Sequence, residues 1–253
     1  DIDGIDDNLY PGIKQMIKDL QSKHPNWQFK LFYTDLDWSD VIANEYIGHG
    51  VNESPRNLVP INSYYVGEWV CPICNGRPSD SGSWTCASEI AIKYMMDPRN
   101  SLNESDIFQF EEITNNGYNW QTVMNMLSGT FLDHWFYADV ISYAGSENNV
   151  SPYYLVARIL QEQGKNGSTL SKGEGYNGQY VGYYNVFNIG ASGSSREQVI
   201  LNGLKRAEQE GWDSLEKSIK GGIKFITEKY IARGQNTLYF QKFDVNNEYD
   251  GMY

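Results

Sequence analysis

The amino-acid sequence predicts a mainly α-helical protein with a small β contribution. Three observations carry that expectation. Apolar residues recur at helical spacing in successive segments, Gly, Pro and Asn punctuate the intervals, and a Gly-rich stretch after residue 162 suits short strands or a hairpin. Nothing repeats at a fixed period. At 253 residues and 28.9 kDa the chain is long enough for one large core or two lobes around a cleft.

Residues 1–9, acidic and glycine-containing, read as a linker or frayed end. Ile13, Met16, Ile17 and Leu20 then share one helical face, and Pro25 closes that unit. Residues 27–33, Trp-Gln-Phe-Lys-Leu-Phe-Tyr, alternate as a short strand would, and a second helix is expected over 37–45. Residues 48–88 lack periodicity, which in a compact protein calls for a binding loop, a lid or a metal anchor. Further helices are expected over 86–96, ending at Asp97-Pro98, and over 103–112, 120–127 and 131–143.

The segment with the strongest helix signals is 150–164. Ser151 is placed to cap it, Pro152 takes the first helical position where a missing N–H is no loss, and Gly164 offers a stop. Leu155, Val156, Ile159 and Leu160 form its apolar stripe, and Glu162 stands at the edge of that stripe in the last turn. An acid there is either a solvated surface group or a carboxyl held rigidly over a cleft by an anchored backbone.

The irregular segment holds all three cysteines. Cys71-Pro-Ile-Cys74 places two thiols on one turn and Cys86 follows, so the three can be ligands of a structural Zn²⁺ with His49, or behind it Asp80 or water, as the fourth. A disulfide between Cys71 and Cys74 or another pair, and free buried thiols, are the competing readings; three cysteines allow at most one intrachain bridge. The formal charge of −12 argues against a nucleic-acid surface, and no apolar run reaches the roughly 18 residues of a membrane span. There is no HExxH helix and no nucleophile elbow, so His24, His49 and His134 read as structural.

The helix end at Glu162 resembles the catalytic segment of the endo-β-N-acetylglucosaminidase family of bacterial peptidoglycan hydrolases, the autolysin catalytic domains akin to glycoside hydrolase family 73. Three further pieces resemble it in the same order: Gly182-Tyr-Tyr-Asn-Val-Phe-Asn-Ile-Gly-Ala191, Gly211-Trp-Asp-Ser-Leu-Glu-Lys-Ser-Ile219 and Gly234-Gln-Asn-Thr-Leu-Tyr-Phe240. The resemblance implies a lysozyme-like two-lobed domain with a small β-hairpin lobe beside the cleft. Residues 10–149 would form an N-terminal lobe with a Cys-anchored loop and 150–253 the catalytic core, the two making one cleft. It further implies a secreted or wall-associated monomer that hydrolyses the β-1,4 bond between N-acetylglucosamine and N-acetylmuramic acid in peptidoglycan.

In that chemistry Glu162 would protonate the leaving oxygen, and no cofactor is required. Glu174 is the candidate base, with attack by the sugar's own N-acetyl oxygen as the alternative. Tyr183, Tyr184, Asn185 and Asn188 are the candidate sugar contacts, and the 7 Trp and 19 Tyr supply flat rings for pyranose faces. A tyrosine of the family has no match near Trp212 and Asp213. Lytic transglycosylation and a non-catalytic wall-glycan binding module are the alternative functions. The start at Asp1 without Met suggests a processed or excised region.

Overall fold

In the computed structural model of the protein, residues 2–50, 53–61, 67–79, 83–243 and 245 are described. The chain divides into two compact units, one of residues 1–111 with 237–253 and one of residues 112–236. The second unit thus takes in 112–149 and gives up the C-terminal segment, whereas the family resemblance implied lobes of 10–149 and 150–253.

In the first unit, α1 (Ile13–Lys23) buries Ile17 and Leu20 against Ile5, Leu102 and Ile107. Trp27, Phe29 and Leu31 pack on the same cluster while Gln28, Lys30 and Phe32 face solvent. The period-2 pattern is real, but residues 27–37 pair with no strand among the described residues, so the expected strand is an extended segment without a ladder. A second cluster joins α2 (Trp38–Glu45) and α3 (Glu89–Met96) through Val41, Ile42, Ala91, Ile92 and Met96. The short α9 (Leu238–Lys242) is tied to α3 by the Tyr239 hydroxyl, which donates to the Met96 carbonyl at 2.6 Å.

The irregular segment contains a three-stranded antiparallel sheet of order β1-β3-β2, from β1 (Leu58–Pro60), β2 (Pro78–Ser79) and β3 (Trp84–Cys86). Cys86 pairs with Leu58, so α3 begins only after β3, with Ser88 capping Ala91. Residues 103–112 form a single 3-10 turn, Ile107–Phe110, because the Asn103 side chain binds the Ser105 and Asp106 amides in place of a helical start.

The second unit is built on five α-helices among the described residues: α4 (Trp120–Leu127), α5 (Trp135–Glu147), α6 (Pro152–Gln163), α7 (Arg196–Glu210) and α8 (Leu215–Lys229). The α5 start lies four residues later than the pattern suggested, because Phe131–Asp133 turn back and the His134 ring caps Phe136. Leu155, Val156 and Ile159 of α6 are fully buried, each worth about 1.5–3 kcal/mol over exposure. Ser151 makes no side-chain cap. Its backbone N–H donates to the Ile113 carbonyl at 2.8 Å instead, and that contact sets where α6 begins. Gly164 ends the helix at φ +70°.

The Gly-rich segment after α6 forms a tight turn through Asn177 and Gly178 closed by one antiparallel bridge, Tyr176 to Gln179. Two glycines of α8, Gly221 and Gly222, allow close packing against Trp212 and Phe187. A Cβ at Gly222 would fall 2.1 Å from the Phe187 ring, which lies in the core of this unit. Gly222→Ala should therefore lower the melting temperature by about 2–8 °C, overpacking outweighing the gain in helix propensity. Calorimetry reads this, and an unchanged or raised melting temperature would count against a rigid Phe187 seat.

Candidate active site

Glu162 ends the exposed edge of α6 and its side chain is 22 % exposed. Both carboxylate oxygens are held. Arg158, one turn earlier, meets Oε1 at 3.1 Å, and the Asn188 amide donates to Oε2 at 2.9 Å and to the Glu162 carbonyl at 3.2 Å. Asn188 reaches back because its own backbone is left-handed, φ +54°, a region Asn tolerates better than other residues with a Cβ. Glu162 and Asn188 share the wall of a cavity of about 530 Å³ with Ser168, Thr169, Lys172 and Arg196, over an apolar floor that includes Leu170 and Ile200.

The residue that organises this corner is Gln163, which falls on the buried stripe four residues after Ile159 and is 4 % exposed. Its Nε2 donates to the carbonyls of Asn185 and Val186 at 3.2 and 3.1 Å and to Asn188 Oδ1 at 2.7 Å, while its Oε1 accepts from Ser168 Oγ at 2.5 Å. One amide thus fastens the helix end to the return loop and to the segment after Gly167. The sequence signal for this role is a glutamine on an otherwise apolar stripe, four residues after Ile159.

The other candidate contacts divide. Asn185 is wholly buried. Its Nδ2 donates to the carbonyls of Ile189 and Gly203, and its Oδ1 accepts from the Ile189 amide. It therefore shapes the loop and presents no face to a sugar, which corrects the expectation for that residue. Tyr183 packs on the helical core, and the Tyr184 hydroxyl lies against Gly173, where a Cβ would stand 2.3 Å away. Neither lines the cavity around Glu162. Glu174 is exposed in a turn between Gly173 and Gly175, both at positive φ, and also lies off the cavity wall. Trp212 is in the core and Asp213 pairs with Lys217 at 2.7 Å.

In the first unit, His49, Cys71 and Cys74 come together with their donor atoms within 4.8 Å of one another. His49 Nδ1 lies 3.0 Å from Cys71 Sγ and 3.9 Å from Cys74 Sγ. These separations bracket the ~3.6 Å edge that Zn–N and Zn–S bond lengths give a tetrahedron, and two thiols with an imidazole are a zinc donor set. The three cysteines are free of disulfides. Burial and the adjoining thiols of Cys86 and Cys71 push the Cys74 thiol up to about 12. Burial lowers the His49 imidazole, favouring the neutral form that can ligate. The loop therefore holds a cluster suited to a metal, with His49 as a full member. Cys86 adjoins Cys74 but falls outside the tight group, and Asp80 lies outside the described residues.

A mainly α fold that presents one helix-borne carboxylate, oriented by an amide and a guanidinium at a cavity wall, belongs to the lysozyme-like class. No protein-family model matches the chain. The bifunctional autolysin of Staphylococcus epidermidis is 32 % identical over 173 residues, 65 % of this chain and 13 % of that protein. The bifunctional autolysin of Staphylococcus aureus strain Mu50 is 30 % identical over 241 residues, 90 % of this chain and 18 % of that protein. The chain thus spans less than a fifth of these curated relatives. Among solved structures, S. aureus glucosaminidase B aligns at 30 % identity and TM-score 0.50 over 64 % of each chain. S. aureus autolysin E, solved with a muropeptide, aligns at 23 % identity and TM-score 0.54 over 85 % of this chain and 83 % of its own, a likeness of fold.

The chain belongs to the glucosaminidase family of autolysin catalytic domains.

Replacing Gln163 by Leu keeps the volume but leaves two buried carbonyls and the Ser168 hydroxyl without their partner. Gln163→Leu should cost about 2–4 kcal/mol in urea unfolding. A loss below about 0.5 kcal/mol, the range of neutral surface changes, would mean that the network carries no weight.

Proposed function

We propose that the protein hydrolyses the β-1,4 bond between N-acetylglucosamine and N-acetylmuramic acid in bacterial peptidoglycan, at the cell wall, with Glu162 as general acid. The observation that carries this reading is the oriented Glu162 carboxyl on a cavity wall in a chain of autolysin ancestry. Its anchoring on a buried helix gives the positional stability that proton delivery to a leaving oxygen demands. Asn188 is a positioning residue here, since it acts through the carboxylate it touches. The second role, activation of water or stabilisation of the developing cation, falls to Glu174 if its turn moves toward the sugar, or to the substrate's own acetamido oxygen. The exposure of Glu174 and its place off the cavity favour the acetamido route.

Glu162→Gln should lower kcat on purified peptidoglycan at least ~10²-fold with wall binding retained, because Gln keeps the shape and cannot deliver the proton. Retention of more than about a tenth of the turnover would unseat Glu162 as the acid. Wild-type product should carry N-acetylglucosamine at a hydrolysed reducing end by mass spectrometry. An anhydro end would assign transglycosylation instead.

The cluster in the first unit supports a structural Zn²⁺ held by His49, Cys71 and Cys74, with Cys86 as the candidate fourth ligand. Its role would be to fix the loop that carries the small sheet, apart from the chemistry. Metal analysis of native protein should find about one zinc per chain, and His49→Ala should lower that content and the melting temperature together. A metal-free sample with a Cys71–Cys74 disulfide would overturn the assignment.

A further inference from the structure

The cavity at Glu162 contains more than the acid. Lys172 and Arg196 lie on its wall, one from the segment that follows α6 and one from the first turn of α7. The chain carries 20 cationic side chains against 32 acidic ones, and four cations of the nearby helices are paired at helical spacing: Arg206 with Glu210, Lys217 with Asp213, Lys220 with Glu216 and Lys224 with Glu228. Lys172 and Arg196 enter no ion pair among the described residues. The first-turn acid nearest them in sequence, Glu197, is approached by the Asn177 amide at 3.4 Å. Glu162 does not neutralise them either, because its carboxylate is held by Arg158 and Asn188.

A cavity wall with two uncompensated cations, at the positive end of a 15-residue helix, attracts an anion in a protein whose overall field repels one. The two cations differ in kind. Arg offers a planar fork suited to a carboxylate, and Lys a point charge on a flexible stem. The apolar floor of Leu170 and Ile200 fits an alkyl or sugar face next to that charge.

We propose that Lys172 and Arg196 form a carboxylate-reading subsite beside the acid, by which the protein selects glycan that carries a negatively charged substituent over neutral glycan of the same backbone. This rests on the glycosidase reading above and names the feature of the substrate that the site discriminates. In peptidoglycan the carboxylate has two sources, the stem peptide and the lactyl ether of the muramyl sugar, with the same chemistry at the protein.

The test compares kcat/KM on three glycans: peptide-bearing wall glycan, the same glycan stripped of peptide by an amidase so that the lactyl carboxylate is free, and neutral N-acetylglucosamine oligomers. Lys172→Gln, Arg196→Gln and the double variant should reduce the ratio of charged to neutral kcat/KM about tenfold for the double variant, with the wild-type preference weakening as salt rises. Lys205→Gln, an exposed α7 residue off the cavity, serves as the control and should leave the ratio unchanged. Loss confined to the peptide-bearing glycan assigns the peptide carboxylate, and loss confined to the stripped glycan assigns the lactyl one. Equal losses on charged and neutral glycans, or no loss on either charged glycan, overturn the subsite. Calorimetric titration of wild type and double variant with muramyl dipeptide, which offers a peptide carboxylate, and with N-acetylmuramic acid, which offers the free lactyl one, keeps the two readings apart: a wild type that cleaves no glycan sinks the glycosidase, while affinity for both compounds unchanged by the double substitution sinks the subsite.

Discussion

The site depends on a single buried amide. Gln163 stands where helical periodicity calls for an apolar residue, and a side-chain amide left without partners there would cost a few kcal/mol. It is satisfied because the chain returns twenty-two residues later and turns two consecutive carbonyls and the Asn188 side chain toward it. The same requirement fixes the return loop against the helix end, and with it the Asn188 donor that meets Glu162. Orientation of the acid is thus a consequence of satisfying a buried polar group one residue away.

The return loop is itself held from the other side. Asn185 uses its whole amide on the loop and on α7, and the Val186 N–H donates to the Ser218 hydroxyl of α8 at 3.0 Å. Phe187 then fills the space that Gly222 leaves on α8. Three consecutive residues therefore bind α7, bind α8 and pack against α8. Because each is buried, the position of Asn188 is set by the helices around the loop.

The first unit solves a different problem. Its sheet has strands of two and three residues, too short to stand alone in water, and the cysteine loop lies directly against it. The Cys71 N–H donates to the Cys86 carbonyl at 3.0 Å, so the thiol turn and the end of the central strand β3 form one piece. A cluster of thiols and imidazole at that junction has the location of a staple, which small or irregular segments commonly need.

Much of the architecture was legible in the sequence. The bounds of α6 follow from Pro152, the apolar stripe and Gly164, because these act locally through backbone geometry. Glu162 as the exposed-edge acid, and the two thiols of the Cys71–Cys74 turn, were legible for the same reason. The tertiary structure alone decided what depends on partners distant in sequence. The alternation at residues 27–32 faces a core but found no ladder, since a strand is defined by a neighbour that the local pattern does not contain. Asn185 and Asn188, three residues apart and identical in chemistry, went to opposite roles. Asn185 points into the core, where Gly203 and Ile189 consume its amide, and Asn188 takes a left-handed backbone and meets the acid. Which of two asparagines becomes scaffold and which meets the carboxylate is set by burial, and burial is a property of the folded chain.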